Sequence, residues 1–342
     1  MIFKKWSMIC FSFTAMLGFF VEKEALAAGN YETYLESWDS NWQNVVQNLP
    51  SGPGGTSANS YENVTLNVSF ASYNFKTAPA LSGLEFSKPS GLSTVVNFVH
   101  SHGGKVRISF GGATNSSPGG YFISKISGWP NNAATLAAGV VSTVIGNNLD
   151  GVDFDIEDPQ PAHTTAKQFA ADLIVFLKEV RSGLPAGKTL SITIPGQSWG
   201  NTYWYYLATE AAAIPGLVDY INFMEYDIWV DNSITYLKQI EGDILTYISN
   251  PSTSPAPNYF PGWGIPANLI QLGLMPGCDD SKQVLSLADA ETLANQAVSQ
   301  KLYGVMTWDL DRDAGSSKSP RCSSYPSAYE YSVGIRNALA AP

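Results

Sequence analysis

The densest chemistry in the chain lies in one stretch, Asp150-Gly151-Val152-Asp153-Phe154-Asp155-Ile156-Glu157-Asp158. Side chains alternate across a β-strand, so Asp153, Asp155 and Glu157 project from one face while Val152, Phe154 and Ile156 project from the other. At about 3.3 Å of rise per residue, neighbouring carboxyls stand roughly 6 to 7 Å apart at their Cα atoms. Three acids that close, on a strand whose other face demands burial, cannot all stay ionised, because like charge and desolvation both raise carboxyl pKa values. At least one keeps a proton near neutral pH. A proton donor beside a lasting anion is the division of labour that glycoside hydrolysis requires. Acidic segments more often bind Ca²⁺ or line solvated turns, but a calcium loop interleaves its acids with Gly, Asn and Ser, whereas Val, Phe and Ile fill the gaps here.

Such a row needs a scaffold. Eight strand-like stretches alternate with helix-like ones: Tyr31–Trp38, Val64–Tyr73, Lys105–Gly111, the acidic stretch, Thr189–Pro195, Val218–Asp227, Leu269–Met275 and Tyr303–Asp309. Helical spacing is clear over Ala166–Arg181, where Phe169, Leu173, Phe176, Leu177 and Val180 recur on one side and Gly183 and Pro185 supply the stop. Strand then helix, eight times, predicts an α/β protein, a (β/α)8 TIM barrel. A doubly wound sheet is the alternative that periodicity leaves open; eight repeats in roughly 310 residues favour the barrel.

Barrel chemistry sits at the C-terminal ends of the strands, so those ends nominate the remaining site residues. Ser109-Phe110-Gly111-Gly112 closes the third strand, and parity places Ser109 where it could donate to Asp153 while Gly111 and Gly112 let backbone approach. Met224-Glu225-Tyr226-Asp227 closes the sixth, with Met224 and Tyr226 on one face. Met306-Thr307-Trp308-Asp309 closes the eighth, and the Trp308 indole offers a stacking face for the apolar side of a sugar. Trp199 and Trp229, each a few residues past a strand end, are expected sugar contacts. Among Tyr203, Trp204, Tyr205, Tyr206 and Trp263, some must pack helix against barrel.

Asp150, Gly151, Asp153, Asp155 and Glu157 match D-G-x-D-x-D-x-E without departure, Ser109–Gly112 matches S-x-G-G, and Met224–Asp227 matches M-x-Y-D. In these motifs the chain resembles glycoside hydrolase family 18, the chitinases and their relatives. The resemblance implies that Glu157 protonates the leaving oxygen and that the substrate's own 2-acetamido carbonyl is the nucleophile. Asp155 would orient the resulting oxazolinium ion, Asp153 would trade a proton with Asp155, and Tyr226 would hold the acetamido group. Asp227 would help shape the same subsite and Trp308 would floor it. Chitin or its oligosaccharides is the implied partner, with no metal and no cofactor. Endo-β-N-acetylglucosaminidases acting on N-glycans carry the same acids, and non-catalytic chitin-binding lectins on this barrel typically lack the acid that Glu157 supplies. Family members with tunnel-like clefts insert a small domain between strands seven and eight; the stretch from Met275 to Tyr303 leaves no room for one, which implies an open groove and internal cleavage.

The chain has 342 residues and a formal net charge of −10, which argues against nucleic acid or an anionic membrane as partner. With 14% charged and 12% aromatic residues, its surface suits a neutral, hydroxyl-rich ligand better than a polyelectrolyte. Lys4 and Lys5, an apolar run from Trp6 to Val21 and then Ala25-Leu26-Ala27 predict a secretory signal peptide over residues 1–27, leaving one catalytic domain over residues 28–342. An exported, monomeric protein is expected. Cys10 departs with the signal, and Cys278 and Cys322 remain as an even pair for one disulfide in an oxidising setting. His100, His102 and His163 have no metal-ligand spacing.

Overall fold

The computed structural model describes residues 29–39, 41–51, 60–71, 91–113, 123–126, 128–157, 160–197, 202–249, 262–315 and 327–340. Its strands are β1 (Asn30–Glu36), β2 (Val64–Ala71), β3 (Lys105–Gly111), β4 (Gly151–Asp155), β5 (Thr189–Pro195), β6 (Tyr220–Met224), β7 (Ile270–Leu274), β8 (Gly277–Cys278), β9 (Val284–Leu285) and β10 (Gly304–Thr307). Eight of them pair in parallel around a closed ring, β1-β10-β7-β6-β5-β4-β3-β2. Because β1 hydrogen-bonds both β2 and β10, the sheet has no edge, and the doubly wound alternative is eliminated. The strands β8 and β9 form a separate antiparallel ribbon.

Around the ring run α1 (Trp42–Gln47), α2 (Leu92–Ser101), α3 (Ala133–Gly146), α4 (Ala166–Gly183), α5 (Tyr203–Ala213), α6 (Tyr236–Ile248), α7 (Leu287–Ser299), α8 (Leu310–Asp313) and α9 (Glu330–Leu339). Helices α4, α5, α6 and α7 each start at a hydroxyl residue in extended conformation, Thr165, Thr202, Thr235 and Ser286, whose side chain accepts the N–H three residues on. Such caps are worth about 1 kcal/mol each. The apolar spacing read on α4 is its buried face, and Phe176 meets Phe154 of β4 edge to face at 5.1 Å. The oily side of the acidic strand is thus held against a helix, which turns the acids into the barrel. None of the helices among the described residues is long and apolar enough to cross a membrane.

The bounds of β3 and β5 are those the pattern predicts. Strands β4, β6 and β10 end earlier than expected, so Glu157, Tyr226, Asp227 and Trp308 stand just past the ladder. Past β6, Asp227 has φ 55°, a left-handed conformation that a strand reaching Asp227 could not hold. The short connection from Met275 to Tyr303 holds the β8–β9 ribbon and α7, with no inserted domain.

Candidate active site

Registration of the ladder sets the site. Asp153 lies level with Ser109 on one side and Ser191 on the other, and Asp155 lies level with Gly111 and Thr193. Four hydroxyls converge on the fully buried Asp153: Tyr34 and Ser109 donate to Oδ2, each at 2.7 Å, and Ser191 and Thr193 donate to Oδ1 at 2.5 and 3.0 Å. The Ser109 contact is the one that strand parity predicts. So many donors fix the carboxyl rigidly and satisfy both its oxygens.

Asp155 has a different setting. Gly112 donates its N–H to the Asp155 carbonyl at 3.0 Å, and at Gly111, with φ 118°, a Cβ would lie 1.8 Å from that same oxygen. Only glycine allows the approach. The Asp155 Oδ1 has no hydrogen-bond partner among the described residues. Burial holds this carboxyl well above its ordinary range, and the neighbouring Glu157 and Asp153 push it the same way. Glu157 follows on the partly exposed exit of the strand, which is pinned by Ile156 N–H to the Thr193 carbonyl at 2.8 Å and by Trp204 Nε1 to the Ile156 carbonyl at 2.6 Å. Burial raises the Glu157 pKa to about 7, with Asp227 adding to the rise. The site therefore holds a proton at Glu157 around neutral pH beside a second acid with a buried oxygen that has no hydrogen-bond partner among the described residues.

An aromatic and thioether wall faces these acids. Met224 and Tyr226 pack with Tyr34, Phe70, Met275 and Met306, and Trp308 lies against the same cluster. Trp308 stacks on Phe70 at 5.5 Å and 16°, and Trp38, 46% exposed, packs against both, 5.9 Å from Phe70 and 6.4 Å from Trp308. Tyr226 is buried, and its hydroxyl stays protonated because burial and the surrounding Asp155, Glu157 and Asp227 all disfavour the phenolate. Asp227 is clamped from the ribbon: its N–H donates to Asp279 Oδ2 at 2.9 Å and its Oδ1 accepts from Ser281 N–H at 2.8 Å. Buried acids in a row, a phenol and an indole wall at the C-terminal mouth of a barrel form a site for acid-assisted cleavage beside a stacked ring.

Residues 32–252 match the family model described as "Glycosyl hydrolases family 18". The chain belongs to that family. Over 127 residues it is 33% identical to "Killer toxin subunits alpha/beta" of Kluyveromyces lactis, covering 35% of this chain and 11% of that protein. Over 139 residues it is 33% identical to "Secreted chitinase LysM12" of Penicillium expansum, covering 39% of this chain and 9% of the other. The matched segments are thus about a tenth of the length of these relatives. Among solved structures, a GH18 chitinase from Pseudoalteromonas aurantia superposes with a TM-score of 0.58 at 21% identity, covering 84% of this chain and 96% of that one.

Within this family 18 barrel, the structure brings together Asp153, Asp155, Glu157, Tyr226, Asp227, Met224, Trp308, Ser109, Gly111 and Gly112. Trp229 is 65% exposed on the loop after β6. Trp199, Cys322 and the expected signal peptide lie outside the described residues, while Cys278 is buried on β8. Tyr203 and Trp263 are buried, and Trp204, Tyr205 and Tyr206 pack against the same core. Sequence reasoning missed Tyr34, Ser191, Thr193, Phe70 and Trp38. Tyr34 was within reach, since parity on the first strand places it inward with Glu32 and Glu36; Ser191 and Thr193 follow in the same way on β5. Nothing in the sequence around Phe70 sets it apart from a core residue.

Proposed function

We propose that this chain is an exported chitinase that hydrolyses β-1,4 bonds between N-acetylglucosamine residues, with retention and by internal cleavage. The observation that carries the reading is the pairing of Glu157, protonated up to about pH 7, with the buried Asp155, whose Oδ1 has no hydrogen-bond partner among the described residues. Glu157 gives its proton to the glycosidic oxygen as the C–O bond breaks. The acetamido carbonyl of the sugar just before the cut attacks the anomeric carbon, and Asp155 faces the N–H of the oxazolinium ion so formed. The Tyr226 hydroxyl donates to the acetamido group, holding it for attack, and Asp155 takes up its charge by trading its proton with Asp153. Water, deprotonated by the Glu157 carboxylate, then opens the ring from the opposite face. Two inversions return the β-anomer.

Trp308, stacked on Phe70, suits the apolar face of the sugar being cut. The short connection between β7 and β10 supports an open groove, hence mid-chain attack. Export rests on the residue 1–27 signal, and in an oxidising compartment Cys278 and Cys322 pair.

A digest of defined, partly acetylated oligomers, followed by NMR of the nascent anomer, tests the chemistry. The β-anomer, and no cut after an unacetylated sugar, is expected; an initial α-anomer overturns it. A parallel digest of a high-mannose glycoprotein decides against the chitinase reading if the glycan is released while chitin oligomers stay intact.

A further inference from the structure

The catalytic account leaves several buried acids unused, Glu225 among them. Glu225 sits directly before Tyr226 and is fully buried, but parity turns it the opposite way, out of the barrel toward α6. There it meets a second buried acid, Asp243 of α6. Tyr247, also on α6, donates its hydroxyl to Glu225 Oε1. Asp243 accepts from Gln197 Nε2 at 2.8 Å on Oδ2 and from Gln239 Nε2 at 3.0 Å on Oδ1. Glu225 Oε2, by contrast, has no donor among the described residues. Two carboxyls can hydrogen-bond only with a proton between them, and the oxygen without a donor is the one placed to carry it.

This pair ties together three exits from the barrel. Gln197, at the end of β5 with φ 51°, gives one Nε2 proton to Asp243 and another to the Trp229 carbonyl, each at 2.8 Å. Its backbone N–H donates to the Tyr247 hydroxyl at 3.0 Å. The Tyr236 hydroxyl donates to the Glu225 carbonyl at 2.7 Å and approaches Asp279, the residue that clamps Asp227. The loop that presents Tyr226, Asp227 and Trp229 is therefore anchored from behind by the Glu225–Asp243 contact. The groups around it are Tyr247, Gln239, Gln197, Tyr236 and, beyond them, Asp279 and Asp231, none of them a cation.

We propose that Glu225 and Asp243 share one proton in an acid–carboxylate hydrogen bond, and that this bond is a positioning device which holds Tyr226 and Trp229 for the ligand and slackens at alkaline pH. The sharing follows the environments: burial and the facing Asp243 hold Glu225 well above its ordinary range, while burial raises Asp243 only to about 6 because the Gln197 and Gln239 donors pull against it. Once the shared proton leaves, two buried anions face each other and repel. For a carboxyl raised in this way, the stabilisation is full below its unfolded value of about 4.5 and is lost as pH rises through the folded value.

The inference rests on the chitin-oligomer reading only for its probe, so two readouts are needed. The first is free of ligand. Infrared difference spectra between the wild type and Glu225→Gln, at neutral pH, should show loss of one protonated carboxyl band; an unchanged acid region overturns the proposal. The second is the affinity of a chitin oligomer measured in the Glu157→Gln background, which removes turnover and the titration of Glu157 together. Affinity should weaken about tenfold between about pH 6 and pH 9, within the usual span of coupling between sites. Adding Glu225→Gln, which keeps a donor but cannot ionise, should flatten that dependence, while adding Glu225→Ala should weaken binding across the whole range. An unchanged pH dependence in the Glu225→Gln double variant, or equal behaviour of the Gln and Ala variants, refutes the device. Absence of oligomer binding at every pH refutes the substrate reading instead, and the infrared band still decides the proton.

Discussion

At the floor of the barrel Glu32 is 1% exposed, and its oxygens accept from Arg107 at 3.1 Å, from Asn222 at 3.0 Å and from Asn67 and Tyr220. At the mouth Asp155 is 4% exposed, one oxygen lacks a donor, and its charged neighbours are the acids Asp153 and Glu157. Burial raises both carboxyls, yet at Glu32 the guanidinium pulls back against it, whereas at Asp155 every neighbouring charge adds to it. A buried acid with a cation and several donors is a structural part, since its charge is already satisfied. An acid buried without them retains its proton, and so becomes a chemical one. The two ends are joined: Arg107 donates to Ser191 at 2.5 Å, and Ser191 donates to Asp153.

Breaking the floor should give the largest effect. Arg107→Leu leaves Glu32 buried without its cation, and removal of one partner from a buried pair costs about 3–5 kcal/mol. Urea unfolding should show that loss, and Arg107→Leu with Glu32→Leu should recover most of it, because no lone charge is then left inside. If the single variant is as stable as the wild type, the two ends of the barrel do not differ in the way described.

Breaking the mouth should leave the fold intact and remove the chemistry. Glu157→Gln keeps the shape and abolishes the transferable proton, so kcat should fall at least ~10²-fold, the lower range for general acid catalysis. Unfolding midpoints should stay near the wild type. Near-normal turnover by this folded variant would remove Glu157 from its role.

The contrast between the ends also explains what was legible in the sequence. The acidic row announces itself because its residues are contiguous and alternate with Val152, Phe154 and Ile156, so local parity is enough. Ser109, Tyr226 and Trp308 were reached the same way, by asking which residues end a strand. The floor was not legible: Glu32, Arg107 and Tyr220 come from three strands, and their meeting depends on which residues stand level around the ring. The Glu225–Asp243 contact has the same origin, joining a strand end to the middle of the next helix. The β8–β9 ribbon, two residues a side, is too short to show any period.

The smallest expected effect is the most specific test of an uncompensated mouth. Glu157 is raised to about 7 by burial first and by the Asp227 carboxylate second. General acid catalysis needs the protonated form, so kcat/KM should decline on the alkaline side with a midpoint near 7. The stability linked to this group has the same sign: the folded value lies above the unfolded one of about 4.5, so stability is full below that value and is lost as pH rises toward 7. Asp227→Asn removes the second cause and leaves the first. The alkaline limb should therefore move to lower pH, by less than about one unit, since a partly solvated neighbour contributes less than burial does. The shape of the limb should persist. A shift to higher pH would mean that Asp227 withdraws the proton from Glu157 instead of holding it there, and a limb that stays in place would leave burial alone to set the acid.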